Sequence, residues 1–239
     1  MLFKFGNIII GVLVALLLSS CSHKLEIKNL RSYQNLSLNP LEQKVTIGII
    51  PSIEDISSKK LMKGIATALM KYSATVVMPY TPGSLRKPDV LANISIRPEY
   101  KGSGWNFLIN WPGFLIWTPA WHGYVYKVNY DVSVLLTKAS DNTKIDSFTI
   151  PVKLDVRHAE MDRTWTEISW LEWSVIAFVG GIVFTQYDSN VSPLVAEKIE
   201  TPIGDYIAQD IIDRLNSYGQ LGYIYDRDSR VRIALLPGK

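Results

Sequence analysis

The sequence predicts an α+β fold with two layers: a mainly antiparallel sheet with helices on one face, in the order β-α-β-β-β-β-α. Three observations carry this. Val90 to Arg97, Tyr124 to Leu136 and Phe148 to Val156 alternate apolar and polar residues with period two, a strand-helix-strand pattern precedes them, and an amphipathic helix follows. Alternation of this kind gives each strand one buried and one wet face, so helices are expected on a single side.

In chain order, Val45 to Pro51 reads as a short strand stopped by its proline. Ser57 or Asp55 caps a helix with Leu61, Ile65, Ala68, Leu69 and Tyr72 on one face. Lys59, Lys60, Lys63 and Lys71 fall mostly elsewhere, as a solvated face or a meeting point for lipid phosphates. Thr75 to Met78 returns as a strand, and Thr81 to Ser84 is a loop. In the three alternating strands the even positions are apolar, and Ser140 to Thr143 joins the last two as a hairpin. Thr201 as cap and Pro202 at the first helical position then open a helix striped by Ile203, Ile207, Ile211 and Leu215 and ended near Gly219. A last small hairpin is expected from Tyr223 to Tyr225 and Val231 to Leu235.

The amino terminus is of another kind. Lys4 supplies a positive start, Ile8 to Leu18 is an apolar run, and Leu18-Ser19-Ser20-Cys21 ends it with two small residues and the chain's single cysteine. A short apolar core followed by a small-residue boundary is a secretory signal, too short for a spanning helix. This arrangement resembles the lipobox of bacterial lipoprotein precursors. The resemblance implies a signal peptide over residues 1–20 and several acyl chains on Cys21, the first mature residue. One chain holds a membrane only marginally, whereas two or more hold it stably. Ser22, where an aspartate often retains such proteins in the inner membrane, favours the outer membrane facing the periplasm; inner-membrane retention and the cell surface are the alternatives. Residues 21–44 show no clean periodicity and read as a lipid-anchored tether, about 70 Å long when extended. Residues 45–239 then form a single α+β domain.

Two apolar stretches interrupt the alternating strands, at 104–122 and 165–187, and together they hold all seven tryptophans. The candidate contacts are Trp105, Trp111, Phe114, Trp117 and Trp121 in the first and Trp170, Trp173 and Phe178 in the second. Tryptophan favours the membrane boundary because its apolar body carries one donor that seeks a wet partner. Pro112 and Pro119 make the first stretch a poor spanning helix and a better re-entrant or interfacial one, while the second is nearly long enough to span but contains Gly180-Gly181 and Glu172, a carboxylate that needs a partner or an interfacial place. If the three alternating strands form a meander, both stretches leave the sheet at one end and make a common surface. That surface buries against the bilayer, an envelope protein, a second copy of the chain, or a private core.

Composition excludes some classes. Loss of Lys4 with the signal takes the net charge from +3 to about +2, too little for a nucleic-acid partner. No nucleophile elbow, zinc-protease helix or phosphate loop is present, so no catalytic residue, metal or cofactor beyond the lipid on Cys21 is expected, and no enzyme. His158, Glu160 and Asp162 alternate but read as a solvated loop, and His122 has no neighbouring carboxylate to make it a base. The order of elements over 45–157 and 201–217 is similar to the small α+β domains of the TolB amino-terminal region and the curli secretion lipoprotein. The chain is thus expected to be a non-enzymatic outer-membrane lipoprotein serving envelope assembly, transport or integrity. The alternative is a lipid or glycolipid carrier whose insertions line a cavity.

Overall fold

The computed structural model describes residues 24–34, 40–41, 44–53, 55–72, 74–110, 123–159, 182–183 and 185–234. Its elements are β1 (Lys24–Ile27), a 3₁₀ turn (Leu30–Tyr33), β2 (Thr46–Ile53), α1 (Ile56–Lys71), β3 (Thr75–Val77), β4 (Val90–Gly102), α2 (Trp105–Asn110), β5 (Tyr124–Lys138), β6 (Lys144–Ala159) and α3 (Val191–Ala234). The strands form one six-stranded sheet in the order β1-β6-β5-β4-β2-β3. The sheet is mixed: β2 runs parallel to both β3 and β4, while β1 runs antiparallel to β6.

The meander is present. Ala139 N–H donates to the Asp89 carbonyl at 3.0 Å, and Asn129 donates to Glu99 at 3.1 Å. One strand advances ten residues while the other retreats ten, so β4 and β5 are antiparallel. A turn over 139–143, with Asn142 at φ 58°, returns the chain into β6. The even residues form the core, from Val90 to Ile96, Tyr124 to Leu136 and Ile150 to Val156, as the alternation requires. On the wet face, Ser52, Ser95, Ser133 and Thr149 stand in one row across β2, β4, β5 and β6, with the last two hydroxyls 3.3 Å apart.

Pro51 does not stop β2. The Ile49 carbonyl accepts from Tyr80 N–H at 2.8 Å on the β3 side, and alternate residues of a parallel strand point the same way. The donor Pro51 lacks would therefore face the side where β3 has already ended, which is where a strand tolerates proline. Asp55 is the cap of α1: its carboxylate accepts from Ser58 N–H at 2.7 Å. Leu61, Ile65, Ala68, Leu69 and Tyr72 are all buried.

The carboxy-terminal helix departs from expectation at both ends. It starts at Val191, ten residues before Thr201, so Pro202 lies inside it. Val191, Val195 and Ile199 extend the buried stripe of Ile203, Ile207 and Ile211 backwards at helical spacing, and that burial outweighs the hydrogen bond Pro202 forfeits. Gly219 does not take the positive φ of a helix stop, so the backbone continues to Ala234 where a hairpin was expected. Upstream, the residues expected to be tether contain β1, which pairs with β6 at the sheet edge.

The chain divides into two compact units. The first comprises Met1–Asn29, Glu99–Asn129 and Lys153–Val195, the second Leu30–Pro98, Tyr130–Val152 and Ala196–Lys239. In the second unit α1 and α3 cross backbone to backbone. A Cβ on Gly64 would lie 1.9 Å from the Glu200 carbonyl oxygen, and one on Gly204 would lie 2.5 Å from the Gly64 carbonyl carbon. Lys63 pairs with Glu200 at 3.1 Å and Lys71 with Asp205 at 3.3 Å beside the crossing, so two of the four α1 lysines serve the helix pair.

Gly64→Ala and Gly204→Ala are each expected to cost about 1–3 kcal/mol, the usual penalty of overpacking. Gly219, with nothing within 4 Å of its would-be Cβ, is the control. Gly219→Ala should be neutral or gain up to about 1 kcal/mol from helix propensity. Urea unfolding of the three variants measures the difference.

Candidate functional site

In the first unit the feet of both insertions meet. The first insertion leaves β4 at Gly102 and turns at Ser103, whose carbonyl accepts from Asn106 N–H at 2.9 Å. Asn106 is fully buried, and its amide makes both bonds of a strand partner: it donates to the Val125 carbonyl at 2.9 Å and accepts from Val125 N–H at 2.8 Å. The insertion is thus pinned to β5 at its root. On its return it passes Gly123, at φ 74°, where a Cβ would stand 2.7 Å from the His158 backbone. The second insertion comes back beside it. Tyr187 stacks on Tyr100 with ring centroids 4.6 Å apart and meets Tyr126 edge-on at 5.3 Å, and a Cβ on Gly102 would lie 1.9 Å from the Thr185 carbonyl. Trp105 is 56% exposed, and Leu108, Ile182 and Val183 are exposed around the same feet.

The amino terminus joins this assembly. β1 pairs with β6 in the register Lys24↔Ala159 to Ile27↔Val156. Asn29 locks the pair, donating to the Lys153 carbonyl at 2.5 Å and accepting from Asp155 N–H at 3.0 Å. Only two residues separate Cys21 from Lys24, and three residues of extended chain reach about 10 Å.

The second unit holds a cavity of about 1130 Å³. Leu41, Val45, Val90, Ile145 and Leu215 supply its apolar lining, and Lys87 and Lys138 bring positive charge. Asp89 also lines it, but its carboxylate accepts from Thr46 N–H at 2.7 Å. The Lys138 ammonium lies 5.6 Å from the Tyr218 ring centre, and the Tyr218 hydroxyl beside it holds its pKa above the ordinary lysine value. Above the cavity, α3 is clamped by Arg214. Its guanidinium donates to Asp146 at 2.7 Å and Asp210 at 3.2 Å and lies 3.8 Å over the Phe148 ring. The described residues that line the cavity all lie outside the two insertions.

Solved structures give distant likenesses. The protein XCC0632 of Xanthomonas campestris, from the DUF330 family, is 10% identical with a TM-score of 0.43, covering 78% of this chain and 97% of its own. TolB of Acinetobacter baumannii is 12% identical with a TM-score of 0.28, over 74% of this chain and 31% of its own. The PelC dodecamer of Paraburkholderia phytofirmans is 9% identical with a TM-score of 0.25, covering 72% of this chain and 97% of its own. No family model and no curated protein matches the chain.

Of the residues singled out from sequence, Trp105 stands at the insertion feet, while Cys21, Trp111, Phe114, Trp117, Trp121, Trp170, Trp173 and Phe178 lie outside the described residues. So do His122, Glu160 and Asp162. His158 is not in a solvated loop: it is buried in β6 opposite Leu25. Among the described residues no three His, Cys, Asp or Glu side chains gather to hold a metal, and no helix is long and apolar enough to cross a membrane. Asn106, Tyr100 and Tyr187 were not anticipated. The available signal for Asn106 was an amide inside a run of apolar residues, where a buried one has to be hydrogen-bonded.

The clamp has a pH signature. Hydrogen bonding from Arg214 holds the Asp146 carboxyl below its ordinary pKa and the Arg214 pKa above its own. The stability Asp146 lends is therefore complete above the ordinary aspartate pKa of about 3.9 and is lost as pH falls through its lower folded value. Both partners are more than a third exposed, so Asp146→Asn should cost under about 1 kcal/mol at neutral pH. Urea midpoints followed from pH 6 down to about 3 should fall less steeply in the variant than in the parent chain.

Proposed function

We propose that this chain is a non-enzymatic envelope lipoprotein, held by acyl chains on Cys21, whose tryptophan-bearing insertions enter the interface of the same bilayer. The observation that carries the reading is the β1–β6 register. It ties the residue three positions after Cys21 to Ala159, the last described residue before the second insertion. An anchor and an aromatic surface at one place engage one membrane. With a free tether of some 70 Å, as the sequence alone suggested, the anchor would have left that surface at liberty to face elsewhere. In this reading about 10 Å of extended chain separates the anchor from Lys24, and so from the strand that leads toward the second insertion.

The interfacial chemistry fits. Trp105, Leu108, Ile182 and Val183 are exposed apolar side chains at the roots of segments that contain the other six tryptophans. Asn106 satisfies the backbone of β5 at the root, so the polar groups needed to direct the segment are spent inside the protein. In this reading the protein serves at the outer membrane, in assembly, transport or integrity of the envelope.

Palmitate fed to cells that process lipoproteins should label the mature chain, and Cys21→Ala should abolish the label. Separately, residues 22–239, free of the acyl group, should bind vesicles of phosphatidylethanolamine and phosphatidylglycerol in flotation. Trp105→Ser, Trp111→Ser and Trp117→Ser together should weaken that binding at least about tenfold, since each buried aromatic contributes about 1.5–3 kcal/mol. An unlabelled product, or vesicle binding indifferent to the triple variant, overturns the reading.

A further inference from the structure

We infer that the cavity of the second unit is a binding site for an amphiphile: an acyl chain carrying an anionic headgroup. Among the described residues the site shares none with the insertions. At about 1130 Å³ it is slightly larger than the usual small-molecule site, which runs to about 1,000 Å³. An inorganic ion would leave it mostly empty. Its apolar lining comes from the end of the 40–45 segment, the start of β4, the start of β6 and one turn of α3, through Leu41, Val45, Val90, Ile145 and Leu215. Four separate chain segments thus present aliphatic side chains to one space, which suits a flexible hydrocarbon.

Charge selects the other end of the ligand. Lys87 and Lys138 bring two positive charges to the cavity against the one carboxylate of Asp89, and that carboxylate is engaged by the Thr46 backbone. Lys138 is held in place by Tyr218 of α3, and α3 is itself fixed one turn earlier by the Arg214 clamp to Asp146. A positioned ammonium above an aliphatic pocket complements a carboxylate or phosphodiester head on an acyl chain. A neutral lipid gains only the apolar half of this site.

The test uses residues 22–239, which retain every described element, with dodecanoate, dodecanol and lysophosphatidylglycerol as probes in equilibrium dialysis. One saturable site per chain is expected for the two anions, with weaker binding of the alcohol. Whichever anion binds more tightly assigns the headgroup as carboxylate or phosphodiester. Lys138→Gln should weaken the anions about tenfold, the loss that accompanies one charge-assisted hydrogen bond, while sparing the alcohol. Ile145→Trp, at a half-buried position where added volume enters the cavity, should weaken all three probes. Circular dichroism confirms that both variants fold. Trp111→Ser with Trp117→Ser should leave dialysis unchanged, which separates this site from the membrane surface. Absence of saturable binding, anion affinity indifferent to Lys138→Gln and Ile145→Trp, or loss of binding in the tryptophan variant overturns the inference.

Discussion

The antiparallel pairing of Lys24–Ile27 with Val156–Ala159 decides what an anchor at Cys21 can reach. Backbone bonds of an edge strand are individually modest, about 0.5–1.5 kcal/mol net apiece, yet they act together with the two bonds of Asn29 to fix the chain's direction. A strand that begins three residues after Cys21 puts a short strut where the sequence alone suggested a flexible leash. The sheet edge thereby gains a second use: β1 covers β6, which would otherwise present open backbone to neighbouring chains.

The meander supplies the frame for this strut, and its stability rests on one-sided burial. Tyr126, Tyr130, Leu136, Ile94 and Leu154 are wholly buried on the even face, whereas Ser95, Ser133 and Thr149 keep the odd face wet. A register slip of one residue would exchange these sets, exposing the first and burying the second, so the pairing is strongly specified. In the second unit the two helices reach this order by another route. Gly64 and Gly204 remove side chains from the crossing so that backbones touch, and lysine–carboxylate pairs line its margins. The close approach explains why residues of poor helix propensity sit mid-helix in α1 and α3.

Period-two alternation made β4, β5 and β6 legible from sequence, because there each local preference agrees with the burial it serves. The misreadings cluster where tertiary structure overrules a local rule. Pro51 reads as a strand stop until Ile49 shows which way its missing donor points. Pro202 reads as a helix start because the apolar residues upstream of it, Val195 and Ile199, are too sparse to signal the burial they have in the fold. β1 is four residues long, and a segment that short carries almost no periodic signal; only its partner makes it a strand. The insertion feet were half legible: strand direction placed them together, but the tyrosine cluster and the Asn106 pin depend on pairs far apart in the chain.

What the core is made of bears on what the tryptophans are for. Among the described residues the buried apolar set consists of Ile, Val, Leu, Ala, Met and Tyr, and contains no tryptophan. The core of the described residues is built without the side chain best able to fill a large void, and Trp105, the one tryptophan among them, is mostly exposed. Packing among the described residues therefore gives no reason for Trp105. The proposed interfacial surface would give one, since indole gains from apolar burial and from a wet donor at the same time, a combination that the interior of a protein rarely offers and the edge of a bilayer offers everywhere.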